Sequence, residues 1–221
     1  PPINDGSGKI RKQLRKARQL LEKAGWYVKG GKLINEQFRG SFNFEILLIS
    51  PAFERIVLPF ARNLKRLGIE ASVRTVDTAQ YRKRIDDYDF DMVVSTFGQS
   101  LSPGNEQREF WGSAAAKRPG SRNLAGIQNP VIDKLIELVI SAPDRKSLIT
   151  RTRVLDRVLL WNHYVIPQWH IRSFRIAFWD KFGRPPITPI YGLAFDSWWV
   201  DKIKADRLSS KLSSFSGKGL R

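Results

Sequence analysis

The sequence predicts an α/β fold, and three observations carry that prediction. Residues 42–76 pass from strand to helix to strand periodicity with short connections, the pattern of a βαβ unit. A compact apolar run, Phe90–Thr96, suits a third, buried strand. Two long helical patterns then lie between Val131 and Asn162. At 221 residues and 42% hydrophobic content, the chain can build one large core or two smaller ones.

From Lys9 to Ala24, Ile10, Leu14, Ala17 and Leu21 recur at helical spacing, and Gly25 suits the C-terminal cap. Trp26–Arg39 is Gly-rich and mixed. Phe42, Phe44, Ile46 and Leu48 alternate as in a strand, with Asn43 and Glu45 on the wetter face. Phe53–Leu67 carries one apolar helical face, within which Pro59 predicts a kink or a later start. The alternating run Ile69–Val76 follows at once, so a parallel pair is expected. Asp77 can cap a helix over about Ala79–Ile85.

Phe97–Ala125 is punctuated by Gly and Pro and is too long for an ordinary connection, which marks it as a functional loop. Asn129-Pro130 caps a helix to about Ser141, and Asp144 precedes a second from Arg145 to about Asn162, with Leu148, Thr152, Leu155 and Leu159 inward. Val165–Trp169 and Arg172–Trp179 read as strands. Pro185, Pro186 and Pro189 stop regular structure, the run 194–201 is an aromatic-rich closing segment, and Ser209–Arg221 reads as a disordered tail. The Trp, Tyr and Phe content of the last third fits core packing or a cleft wall equally well.

The net charge is +17, and its distribution matters more than its size. Nine basic and two acidic residues lie in the first 32, whereas elsewhere bases and acids mix, so most of the charge reads as solvated surface. A nucleic-acid-binding domain is the alternative that this charge raises. Without cysteine there is no disulfide, thiolate site or cysteine nucleophile. His163 and His170 have no carboxylates at metal-ligand spacing, and serine-hydrolase, Walker and dinucleotide motifs are missing. No catalytic residue, cofactor or metal is expected. The aspartates 86, 87, 89 and 91 read as a solvated turn. The opening eight residues lack a signal-peptide pattern and read as a linker or cleaved edge.

Three strings occur in a telling order: Ala17-Arg18-Gln19-Leu20-Leu21-Glu22-Lys23-Ala24-Gly25-Trp26, then Leu64-Lys65-Arg66-Leu67-Gly68-Ile69, then Tyr88-Asp89-Phe90-Asp91-Met92. With Asn129-Pro130, Asp133-Lys134-Leu135-Ile136 and Ile166-Pro167, this order resembles the family 5 extracytoplasmic solute-binding proteins, the oligopeptide, dipeptide and nickel group. The Gln99–Glu106 loop and Ser197-Trp198-Trp199 further resemble its YejA-like branch, associated with peptide uptake.

The resemblance implies one α/β lobe of a two-lobed, class II-like periplasmic binding protein, with a C-terminal return segment to the other lobe. Residues 9–172 would form that second lobe with a mixed sheet, 173–208 the return segment and 209–221 a basic tail. It implies a non-enzymatic, periplasmic role in an ABC transporter. The partners would be a peptide or peptide-like ligand, the N-terminal part of the same protein and an inner-membrane permease, with no nucleic acid. Thr96-Phe97-Gly98-Gln99-Ser100 stands where an oligopeptide-binding member has W-x-A-D-Y, whose Asp pairs with the peptide's free amine. Gln99 replaces that carboxylate, so it can accept a hydrogen bond without the charge-assisted component. The expected ligand contacts are Gln99 as polar anchor, Ser100 beside it, and Phe97, Phe110 or Trp111 as apolar walls. Arg84 aligns with an arginine that can receive a peptide carboxylate, or is a surface helix arginine.

Overall fold

The structure, a computed structural model, describes residues 3, 5–37, 40–168, 173–188 and 192–216. These form two compact units, residues 1–166 and 167–221.

In the first unit, helix α1 (Arg11–Lys23) lays Leu14, Ala17 and Leu21 against Leu33, Leu67 and Ile69 and turns its basic residues outward. Strands β1 (Tyr27–Lys29) and β2 (Lys32–Asn35) form a hairpin around Gly30-Gly31, both at positive φ, and β3 (Gly40–Ser41) extends it. This antiparallel sheet lies in the stretch that the sequence pattern left mixed. The two-residue Gly-Gly turn has the left-handed conformation that hairpins favour, so a signal was present.

Strand β4 (Asn43–Leu48), helix α2 (Glu54–Lys65) and strand β5 (Glu70–Thr75) form the expected βαβ unit, with β4 and β5 parallel from Asn43↔Glu70 to Leu48↔Thr75. Ile46, Leu48 and Val57 are its buried centre, packed by Phe44, Phe60 and Val73. The simple in-and-out alternation fails at Leu47, which is as buried as Ile46 and Leu48 because β4 is central, between β5 and β6 (Met92–Val93). Helix α2 begins at Glu54, before Pro59 and directly after a 3-10 turn at Pro51–Phe53, so a start beyond the proline is ruled out. The three strands β5-β4-β6 are all parallel and the antiparallel hairpin forms its own sheet, which corrects the single mixed sheet.

Gly68 joins the two sheets. Its carbonyl accepts from Leu33 N–H at 2.7 Å, its φ is +82°, and a Cβ there would lie 2.7 Å from the Leu33 backbone nitrogen. Only glycine fits this approach and this left-handed backbone.

Helix α3 (Thr78–Asp86) is capped by Asp77, whose carboxylate accepts from Gln80 N–H at 2.9 Å. Its four acidic neighbours act as the sequence expects of a solvated turn, with Asp86 and Asp87 paired to Arg82 and Lys83 one turn back. The run 90–96 is a strand only at Met92–Val93. The stretch 97–125, expected as a loop, contains helices α4 (Glu106–Trp111) and α5 (Ser113–Ala116). Helix α6 (Pro130–Ile140) starts where Asn129 caps Val131 N–H at 2.9 Å, and α7 (Arg145–Trp161) where Asp144 caps Ser147 N–H at 2.8 Å. Phe110, Trp111, Ile127, Ile132, Ile136, Val139 and Leu155 are the core of this part.

In the second unit, β7 (Phe182–Gly183) pairs antiparallel with β8 (Trp199–Val200). Trp198 packs against Phe178, Phe195 and Phe182, with ring centroids at 5.0, 4.9 and 6.2 Å. Residues 165–168 and 173–179 are not strands, and Trp169, His170 and Tyr191 lie outside the described residues. The expected disordered tail is instead helix α8 (Lys202–Ser216), tied back by Lys204 to the Phe182 carbonyl and by Arg207 to Asp180, while 217–221 lie outside the described residues.

Candidate functional site

The parallel strands end at Leu48, Thr75 and Val93, and open parallel sheets take ligands beyond the carboxyl ends of their strands. The loop 94–105 leaves from that edge, after β6, and leads into α4. It is held from several sides. Arg145 of α7 donates to the Leu101 carbonyl, Ser100 Oγ accepts from Ser102 N–H at 3.0 Å, and Glu106 Oε1 accepts from Gly104 N–H at 2.9 Å. Burial opposes ionisation of Glu106, but the Gly104 N–H, its own N–H and the Gln107 amide outweigh it and hold the carboxyl below its ordinary range.

The structure brings Phe97, Phe110 and Trp111 together. Phe97 lies 4.5 Å from Trp111 and 5.6 Å from Phe110 by ring centroids. Phe110 and Trp111 are 1% and 7% exposed, so they back Phe97 from within the core, and Phe97 is the one of the three that is only half-buried. Gln99 and Ser100 are exposed two and three residues further along.

Two residues that the sequence pattern did not single out complete this region. Gln107, 4% exposed on α4, accepts from Trp111 Nε1–H at 3.1 Å and donates to Gln99 Oε1 at 2.7 Å and to Glu106 Oε1 at 3.1 Å. Its signal was the i, i+4 spacing of a buried amide and a tryptophan. Arg122 sets its guanidinium 4.4 Å over the Phe110 ring. Arg122 and Phe97 line one cavity of about 400 Å³ together with Arg82, Ile85, Thr96 and Ser121. Ser121 is itself held by the Tyr88 hydroxyl at 2.7 Å.

Arg84 lies apart from that group. Its Nη1 pairs with Glu45 at 2.8 Å and its Nε with Asp89 at 2.9 Å, and its side chain is 17% exposed. The Glu45 hydrogen bond raises its pKa further against the opposing effect of burial, with Asp89 adding to the rise. Arg84 therefore braces β4 to the turn after α3, its charge already compensated. Among the described residues no group of three or more metal-ligating side chains occurs, and no helix is long and apolar enough to cross a membrane.

A parallel α/β unit of this kind is consistent with one lobe of a periplasmic binding protein. The family model for "Bacterial extracellular solute-binding proteins, family 5 Middle" matches residues 1–118, and the chain belongs to that family. Its members bind solutes and are not enzymes. The chain is 51% identical over 207 residues to the y4wM protein of Sinorhizobium fredii, covering 94% of this chain and 31% of that one. It is 45% identical over 202 residues to the "Probable peptide-binding protein YejA" of Agrobacterium fabrum, covering 91% and 33%. It thus spans about a third of the length of the curated relatives it matches. Among solved structures, the oligopeptide-binding protein AppA of Bacillus subtilis, in complex with a nonapeptide, shares the fold with a TM-score of 0.65 at 21% identity, over 85% of this chain and 37% of that one.

Proposed function

We propose that this chain is the part of a periplasmic solute-binding protein that takes peptides or peptide-like solutes for delivery to an inner-membrane ABC permease. The observation that carries the reading is the braced loop 97–100 at the carboxyl edge of the parallel sheet, in a chain of the family 5 solute-binding class. Phe97 supplies apolar surface, with Phe110 and Trp111 stiffening it from behind. Gln99 and Ser100 supply polar contacts, and Arg84, engaged with Glu45 and Asp89, is left out of the contact set.

The remainder of the polypeptide completes the site, the segment 173–208 returning to the other lobe, and closure of two lobes over the solute buries it. Apart from charge, no feature of the described residues favours the nucleic-acid alternative.

Calorimetry on the complete protein tests this reading. Gln99→Ala is expected to weaken peptide binding by about 1–3 kcal/mol by leaving a desolvated ligand group unpaired, with little change in thermal stability because the side chain is exposed. Affinity equal to the parent protein's removes Gln99 from the site.

A further inference from the structure

The polarity of Gln99 is fixed by its neighbours. An indole N–H only donates, so the buried Gln107 must turn Oε1 to Trp111 Nε1, 3.1 Å away. A carboxylate only accepts, so Gln107 must turn Nε2 to Glu106, at 3.1 Å. Both ends of Gln107 agree, and its second amide hydrogen goes to Gln99 at 2.7 Å. Gln99 must therefore point its carbonyl oxygen inward, which leaves its NH₂ group outward on an exposed side chain.

Arg122 adds a second donor on the same aromatic group. It stacks on Phe110, whose ring lies against Phe97, and no carboxylate pairs with it among the described residues. A solute meeting this loop encounters an amide donor and a guanidinium.

From this geometry we infer that the loop reads a hydrogen-bond acceptor on the solute, an amide carbonyl or carboxylate oxygen, and disfavours a free ammonium group at that point. The inference rests on the peptide-capture reading above and specifies which end or form of the peptide is taken. Gln99 is the specificity-determining contact, and Gln107 is a positioning residue acting through it.

The test is calorimetry on the complete protein with three probes: tetra-alanine, N-acetyl-tetra-alanine, and N-acetyl-tetra-alanine amide. The acetylated peptide is expected to bind roughly tenfold tighter than the free-amine peptide, the scale of one hydrogen bond of about 1.4 kcal/mol. Retention of that advantage on amidation identifies the acyl carbonyl as the oxygen read, and its loss shows that the C-terminal carboxylate is read as well. Either result supports the inference.

Gln99→Glu keeps an acceptor toward Gln107 and presents a carboxylate outward, so it is expected to reverse the preference. Gln107→Met lets Gln99 turn and is expected to bring the ratio toward unity, with circular dichroism confirming the fold. A parent protein that prefers the free amine, or a ratio unmoved by Gln99→Glu while binding persists, overturns the inference and leaves peptide capture standing. Binding of none of the three probes overturns peptide capture itself and the inference with it.

Discussion

Asn123 shows how much of this molecule depends on single polar side chains in its interior. It is wholly buried, and its Nδ2 donates to the Gly112 and Ile127 carbonyls, both at 3.0 Å, while its Oδ1 accepts from Ile127 N–H at 2.9 Å. The Gly112 bond pins the segment after α5 to the turn between α4 and α5, the Ile127 bonds close that segment on itself, and together they help hold α4, with Gln107 and Trp111, at the base of the loop 94–105. Asn123→Leu nearly conserves volume but orphans two buried backbone groups and removes a donor from a third. The Ile127 N–H and carbonyl are the two groups left without a partner, since the Gly112 carbonyl still accepts from Ala115 N–H at 3.1 Å, and the change is expected to lower stability by about 2–4 kcal/mol, read as a drop in the urea midpoint with an unchanged slope. Such a residue is hard to read in a sequence, where Asn in a Gly-rich stretch looks like any other turn former. Gln107 was only half visible: its i, i+4 spacing to Trp111 stands in the sequence, but nothing there reveals that the amide faces inward.

At the level of elements, legibility followed the source of the stabilising energy. The caps at Asp77, Asn129 and Asp144 and the βαβ unit were readable, because each rests on contacts between residues close in sequence or on strict periodicity. The segment 173–179 alternates like a strand, yet Phe174 and Phe178 are 61% and 40% exposed and it pairs with no strand among the described residues. Alternation records a capacity for pairing, whereas pairing needs a neighbour. The Asp144 cap makes a testable case. The Ser147 N–H and then the Ser147 hydroxyl hold the Asp144 carboxyl below its ordinary value of 3.8. A group with a depressed folded pKa contributes fully above its unfolded value, and that contribution is lost as pH falls through the folded one. Asp144→Asn keeps a capping oxygen and removes the titration. Thermal melts of α7 are therefore expected to be similar near neutrality and less steeply acid-sensitive in the variant below about pH 4.

For the molecule as a whole, the second unit leaves Trp179, Phe195, Val200 and Ile203 between 59% and 82% exposed. Exposed large apolar groups in one small unit favour a cover, and on the proposed function the rest of the polypeptide is expected to supply it. The 25.4 kDa chain alone is expected to bind a hydrophobic dye strongly, and the complete protein weakly. Equal, low dye binding by both would show that these side chains need no partner. Within the first unit, the join between hairpin and parallel sheet passes through Gly68, where a left-handed backbone and a Leu33 nitrogen 2.7 Å from any Cβ leave no room for another residue. Mutational drift can rewrite the charged outer face of α1 almost freely, but at codon 68 it has no neighbouring step to take. A library randomised there and selected for folded protein should return glycine alone, so the join between the sheets is also a point at which the lineage of this protein has little freedom to wander.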